Sequence, residues 1–405
     1  MKVIDLFAGA GGLSEGFRRA GFDVVSHVEM DRDASMSLKT REAYYYCLED
    51  NNVELYKNYL AKKITRDKFY SEIPNHILSK VLNYEISKDT LPKIFSEIDK
   101  IIGDNVLDGI IGGPPCQAYS LAGRARNKYK KSDDPRNYLY LYYLEFLRRY
   151  RPKFFVFENV QGILTAKNGK IFETIKDEMR KSGYTIDYKV LDSSDFGVVQ
   201  NRKRVIIIGF RKELKQKYPV FDKVGKKSTI NELFADLPHI KSGSNSQKYV
   251  SLPNEYLISS KIRNEKWDIL NYYTSRKLNQ NDEKIYKLCI KNIEEEGKNL
   301  KYTDLPEKLK THKNTKSFLD RFKVLDKNGQ SHTIVAHISK DGHYYIHPDL
   351  TQCRSITVRE AARIQSFPDD YYFESSKTSA FKQIGNAVPP LMAEQIAKKI
   401  KELFD

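Results

Sequence analysis

Only four cysteines are spread over 405 residues, Cys47, Cys116, Cys289 and Cys353, and no two of them stand in a CxxC spacing. That excludes a disulfide-stapled scaffold and the usual zinc ligand patterns, and it suits free thiols in a reducing, cytoplasmic setting. Long apolar runs are missing as well, so no membrane span is expected. Met1-Lys2-Val3-Ile4-Asp5 brings an acid where a secretory leader would stay apolar. No segment repeats. Acid is short relative to base: 53 Asp and Glu face 69 Lys and Arg, a net charge of +16. Such an excess points to a polyanion partner, nucleic acid first, over simple solubility. With 40% hydrophobic residues the chain can bury a core unaided, and its length suits two or three domains.

The first thirty residues alternate in a telling way. Val3–Phe7 reads as a strand, Ala8-Gly9-Ala10-Gly11-Gly12 as a turn, Leu13–Ala20 as a helix closed by Gly21, and Asp23–Val28 as a second strand ending in Glu29. Residues 38–100 carry Tyr, Lys and Glu at helical spacing and predict two or three helices. A strand over 106–111 follows, then a polar basic stretch, Ala118–Asp134, of the length that lids have. Tyr138–Tyr150 predicts a helix that stops before Pro152. Strand–helix alternation through residue 210 predicts an α/β fold, a doubly wound and mostly parallel sheet. Beyond Arg211 the texture turns to Lys, Asn and Ser, and a second, smaller domain is expected. There, His332–Ser339 and His343–His347 flank Lys340-Asp341-Gly342, a hairpin signal. Val388, Leu391, Met392, Ile396, Ile400 and Leu403 share one face of a final helix, which Pro389-Pro390 would start.

Three side chains with chemistry fall at predicted strand edges. Cys116 follows Ile110-Ile111-Gly112-Gly113-Pro114-Pro115 on a stiff turn. Glu158 ends Phe154-Phe155-Val156-Phe157. Arg202 and Arg204 lead into Val205-Ile206-Ile207-Ile208. In open α/β sheets ligands gather at the carboxyl ends of strands, so a thiol, a carboxylate and a guanidinium there make a candidate active site. The glycine turn followed by Glu29 predicts a nucleotide-like cofactor, since glycines admit close backbone approach and a strand-end acid accepts from ribose hydroxyls. The turn departs from G-x-G-x-x-G, which argues against a dinucleotide. The spacing of His337, His343, His347 and Cys353 fits no ordinary metal site, and no metal is expected; alternating histidines in a hairpin would stand at the surface.

Taken in order, Asp5-Leu6-Phe7-Ala8-Gly9-Ala10-Gly11-Gly12, Pro115-Cys116-Gln117, Glu158-Asn159-Val160, Gln200-Asn201-Arg202-Lys203-Arg204 and Gly385-Asn386-Ala387-Val388 resemble the motifs of the DNA (cytosine-5)-methyltransferases of prokaryotic or phage modification systems. The match covers a little over half the chain, roughly 1–34, 84–90, 108–210 and 354–400. It implies a class I methyltransferase, Rossmann-like sheet with S-adenosylmethionine as methyl donor and S-adenosylhomocysteine as product. It implies that Phe7 stacks on the adenine, that Gly9, Ala10 and Gly12 wrap the methionine part, that Glu29 holds the ribose, and that Met30, Glu85, Ile86, Pro115, Leu139, Asn386 and Val388 complete the pocket. Cys116 would attack carbon 6 of cytosine, Glu158 would serve the ring nitrogen, Arg204 the carbonyl oxygen, with Arg202 in support. Gln117, Ser120, Arg124, Arg126 and Thr333 would meet DNA. Asn159 would brace its turn, and Arg359–Pro368 would brace the recognition domain.

The resemblance thus divides the chain into a catalytic and cofactor domain over 1–221, a recognition domain over 222–353, a hinge over 354–384 and a returning helix over 385–405. Double-stranded DNA is the expected partner, a separately acting restriction endonuclease a further one, and the chain is expected to be a monomer. A tRNA cytosine methyltransferase of the same fold is the nearest alternative, but about 150 residues between Arg204 and Arg359 exceed what that branch carries. A DNA-binding regulator without catalysis is the other, and intact Cys116, Glu158 and Arg204 argue against it.

Overall fold

Val3-Ile4-Asp5-Leu6 lacks a polar–apolar alternation because both faces of its strand are covered, the pattern of a central parallel strand. The computed structural model describes residues 1–115, 139–311 and 319–405. It divides into two compact units: residues 1–196, 203–223 and 388–405, and residues 197–202 with 224–387. The sequence boundary at 221/222 thus lies two residues from the structural one, and the segment 354–384 falls within the second unit.

The first unit is built on a seven-stranded sheet in the order β3-β2-β1-β4-β5-β7-β6. The strands are β1 (Lys2–Leu6), β2 (Asp23–Val28), β3 (Val81–Leu82), β4 (Gly109–Gly112), β5 (Phe154–Asn159), β6 (Tyr184–Asp192) and β7 (Lys203–Arg211). β1 pairs in parallel with both β2 and β4, and β4 with β5; β7 alone reverses direction, lying antiparallel between β5 and β6. The strand order changes direction between β1 and β4, which opens a crevice at their carboxyl ends.

Helix α1 (Gly12–Arg19) packs against the C-terminal helix Pro390–Lys401 at a distance only glycine permits: a Cβ on Gly16 would stand 2.4 Å from the Ala393 Cβ. The segment between β2 and β3 forms four helices, α2 (Arg32–Glu49), α3 (Val53–Leu60), α4 (Arg66–Ser71) and α5 (Asn75–Leu78), more than the sequence predicts there. Tyr44, Tyr56 and Phe69 are buried between them, so the tyrosines of this segment pack rather than face a ligand. Charge ties the segment to the sheet. Arg41 on α2 grips Glu15 of α1 through two nitrogens at 2.8 and 2.7 Å, and Glu42 meets Arg18 and His27. Burial opposes ionisation of Glu15, but Arg41 and Arg19 overcome it and hold the carboxyl at about 2.

Two expectations fail here for physical reasons. β6 is not expected from the sequence: it is the sheet edge, and instead of a continuous apolar run it carries the alternation Tyr184, Ile186, Tyr188 and Val190 with polar residues between, its Asp187–Val190 stretch exposed. The hairpin expected around Asp341-Gly342 is not formed. Gly342 sits at φ 70° and ends a short helix, Ile338–Asp341, so the same dipeptide serves a left-handed helix cap. His343 and His347, expected at the surface, are buried, His343 on the Tyr286 hydroxyl at 3.0 Å.

The second unit is held by charge in its interior. Arg354 makes a bidentate pair with Glu360 at 2.8 and 2.7 Å, and Arg363 joins Asp369 at 2.6 Å and Asp236 at 2.6 Å. Glu360 also closes the capping box of the helix Val358–Ile364, taking the Thr357 N–H while its own N–H goes to Thr357 Oγ1. The Nδ1 of His347 accepts the Asp349 N–H at 3.2 Å, so the ring is neutral. Burial and then Arg354 push its pKa down from 6.5 to about 4. The unfolded chain therefore binds a proton below about pH 6.5 that the folded one refuses, and stability falls as pH drops through that window, by about 3 kcal/mol for this group at pH 4. Trp267, the sole tryptophan, is buried in this unit and reports on it. Its fluorescence should show urea midpoints decreasing from pH 7 to pH 4.5, and His347→Gln should flatten that slope; an unchanged slope would remove His347 as its source.

Candidate active site

The crevice at the end of β1 is shaped by backbone that few residues adopt. Phe7 lies at φ 56°, Gly9 at 55° and Gly11 at 68°, so the chain folds back over the strand end before α1 starts. Gly12 is glycine for space: a Cβ there would stand 2.0 Å from the Val388 carbonyl oxygen, which brings the start of the C-terminal segment against the turn. Glu29, at the end of β2, is fixed by two backbone donors, Gly9 N–H on one carboxylate oxygen and Asp31 N–H on the other, each at 2.7 Å. Asn83 beyond β3 donates to the carbonyls of Glu29 and Met30 at 2.8 and 3.1 Å. Met30 is exposed, Glu85 is exposed, Ile86 is buried, and Leu139 opens the helix α7 (Leu139–Tyr150), α6 being Leu91–Ile102. Phe7, Gly9, Ala10, Gly12, Glu29, Met30, Glu85, Ile86, Pro115, Leu139 and Val388 all belong to the first unit; Asn386 belongs to the second and is exposed there.

One residue of this crevice had no assigned role. Asp5 is 1% exposed, and neither of its carboxylate oxygens has a hydrogen-bond partner among the described residues. Ser14, near the start of α1, stands beside it and helps to hold its pKa down, while the Ser14 hydroxyl donates to the Gly11 carbonyl at 3.2 Å. Burial raises the Asp5 pKa to about 6 against the lowering effect of His27. A polar residue inside Val3–Leu6 was the sequence signal.

The second half of the site lies at β4, β5 and β7. Arg204 Nε meets Glu158 Oε1 at 2.9 Å, and Arg204 Nη1 donates to the Lys203 carbonyl at 2.8 Å. Burial lowers the guanidinium's pKa, and Glu158 restores part of it. Asn159 Nδ2 donates to the Pro114 carbonyl at 3.2 Å, so the end of β5 holds the turn that leads to Cys116. Cys116 itself, with Gln117, Ser120, Arg124 and Arg126, lies outside the described residues. Arg202 belongs to the second unit, is 1% exposed, and donates to the carbonyls of Ile334 at 2.8 Å and Gly385 at 3.1 Å. It braces the main chain there. Thr333 donates its hydroxyl to the Asn201 carbonyl at 2.7 Å. Gln200 and Gln365, buried and joined by a hydrogen bond, complete that brace; sequence reading gave neither a role. No cluster of three metal-ligating residues occurs among the described residues.

Comparison with known proteins decides the family. The model of the C-5 cytosine-specific DNA methylases matches residues 1–402. The chain belongs to this family. It is 42% identical to the type II methyltransferase M.Bpa9945I of Bacillus paralicheniformis, over 100% of this chain and 99% of that protein. It is 30% identical to M.DdeI of Desulfomicrobium norvegicum, over 100% and 89%. Among solved structures it resembles a prophage-encoded E. coli protein assigned as a DNA modification methyltransferase, with TM-score 0.66 and 27% identity over 100% and 99% of the two chains. This family member is thus a DNA (cytosine-5)-methyltransferase with the class I methyltransferase sheet, its substrate is DNA, and its family implies S-adenosylmethionine as donor. No helix among the described residues is long and apolar enough to cross a membrane.

The crevice fits that donor. Gly12 keeps the turn open to close approach, Glu29 is fixed by two backbone N–H groups at the end of β2, and the acid Asp5 is buried in β1 before the turn. S-adenosylmethionine carries a positive charge that its product lacks, so an ionised carboxyl in the crevice should favour it. Affinity for S-adenosylmethionine relative to S-adenosylhomocysteine should rise as pH passes upward through about 6, where Asp5 ionises. Calorimetry from pH 5 to 7.5 checks this, and Asp5→Asn should abolish the rise; a rise that persists in the variant would assign it elsewhere.

Proposed function

We propose that this enzyme methylates carbon 5 of a cytosine flipped out of a specific duplex site, through a covalent adduct of Cys116 at carbon 6. The observation that carries the reading is the Glu158–Arg204 pair at 2.9 Å, on the strand whose Asn159 ties down Pro114, two residues before Cys116. A carboxylate and a guanidinium on adjacent strand ends suit the two polar edges that a cytosine ring presents there.

The steps follow from this chain's groups. The Cys116 thiolate adds to carbon 6, while Glu158 donates a proton or hydrogen bond to the ring nitrogen beside the amino group, making carbon 6 electrophilic. Arg204 faces the carbonyl oxygen, where negative charge grows during attack. Bound S-adenosylmethionine supplies the methyl group taken by carbon 5. Loss of the carbon 5 proton and expulsion of the thiolate then release the product. A stacked base cannot expose its ring face to a thiol, which is why the cytosine must leave the helix. Phe7 stacks on the donor's adenine and Glu29 takes the ribose hydroxyls. Gln117, Ser120, Arg124, Arg126 and Thr333 contact DNA, and residues 222–353 read the site. The type II relatives support a modification enzyme that protects a site from a separate restriction endonuclease.

Fluorine at carbon 5 cannot leave as a cation, so the reaction should stall after methyl transfer. Duplex DNA with 5-fluorocytosine at the target should form a denaturation-stable adduct with the enzyme only when S-adenosylmethionine is present. Cys116→Ala should lose both adduct and turnover with cofactor affinity near normal. Methylation by the purified variant would defeat the nucleophile assignment, and turnover on tRNA in place of duplex DNA would defeat the substrate assignment.

A further inference from the structure

Gly113 lies between β4 and Cys116, and its backbone does not require glycine. Its φ is outside the left-handed range that Gly112, its neighbour, approaches at 154°. What excludes a side chain is Glu158. A Cβ on Gly113 would stand 2.6 Å from Glu158 Oε2 and 3.0 Å from the Glu158 carbonyl oxygen. The other carboxylate oxygen, Oε1, is taken by Arg204 Nε at 2.9 Å. The carboxylate is therefore confined from two sides, by a guanidinium on β7 and by the bare α-carbon of Gly113 at the end of β4. The neighbouring strands keep that gap narrow: Gly112 pairs with Phe157 in the β4–β5 register, and Asn159 holds the Pro114 carbonyl.

We propose that Gly113 is a positioning residue for methyl transfer: its missing side chain leaves the space in which Glu158 Oε2 stands, so that Arg204 keeps one oxygen and the other is presented to the base. The inference rests on the role proposed for Glu158 and adds what sets that side chain's place. A methyl group at position 113 meets the far end of a flexible side chain at 2.6 Å and the Glu158 carbonyl oxygen at 3.0 Å, so the carboxylate turns aside and the main chain gives by a few tenths of an ångström at most. The main change is in the aim of the Glu158 carboxylate.

The test is a double-mutant cycle on the full-length enzyme with duplex DNA and S-adenosylmethionine. Gly113→Ala should lower kcat about 10- to 100-fold, the scale of one misplaced acid–base group, with cofactor affinity unchanged. Its pH–rate profile should shift as Glu158 exchanges neighbours. In a Glu158→Ala background the carboxylate is gone and only the milder contact with the residue 158 main chain remains, so adding Gly113→Ala should change kcat less than twofold. A loss of equal size in both backgrounds would mean that the methyl group acts through the Cys116 turn and would overturn the proposal. So would an unaltered kcat in Gly113→Ala. Full activity in Glu158→Ala alone would instead remove the role of Glu158, and this proposal with it.

Discussion

The reversal of β7 is the constraint on which the site depends. Had β7 run parallel to β5, its amino end would lie at the far edge of the sheet. Running antiparallel, it brings Lys203 and Arg204 beside the carboxyl end of β5, with Asn159 opposite Val205 and Glu158 opposite Ile206. Side chains two apart on a strand share a face, so Arg204 becomes the diagonal neighbour of Glu158, and the two pair at 2.9 Å. The parallel strands β1 and β4 direct the glycine turn and the Pro114-Pro115 turn to the same edge. The glycine turn, the Pro114-Pro115 turn and the Glu158–Arg204 pair therefore meet at one end of one sheet.

Buried charge fixes the interior of each unit. In the first unit Glu15 and Glu42 take arginines from both α1 and α2, anchoring a helical segment whose tyrosines pack among themselves. In the second unit Arg354, Arg359 and Arg363 are wholly buried with Glu360, Asp369 and Asp236 as partners. Breaking one such pair leaves a charge in a medium of low polarity, typically about 3–5 kcal/mol, so these networks define position more strongly than apolar contacts of equal area. Asp5 is the exception. Its carboxyl is buried inside the sheet without an arginine partner, and burial raises its pKa to about 6.

Much of this was legible in the chain. The run Val3–Leu6 and the glycine turn announce a buried central strand and its crevice, and Glu158 and Arg204 stand paired where their strand-edge positions put them. The misses have physical causes. β6 forms an edge and so carries no apolar run. Asp341-Gly342 supports a helix cap as readily as a hairpin, because both need a left-handed residue. His343 and His347 are polar in type yet buried, since a tyrosine hydroxyl and a backbone N–H satisfy them. The bonds of Arg202 to main-chain carbonyls are not legible from its spacing to Arg204, because the chain passes between units there. Gly113 reads as one more glycine in a turn until the carboxylate beside it is located.

The central claim is that one sheet edge assembles a methyl-transfer site for carbon 5 of cytosine. It is tested most directly by incubating the purified enzyme with duplex DNA and S-adenosylmethionine labelled in its methyl group, then identifying the labelled nucleoside by mass spectrometry after complete digestion. The account predicts label in 5-methyldeoxycytidine alone. Label on an exocyclic amino group, whether of cytosine or adenine, would contradict it.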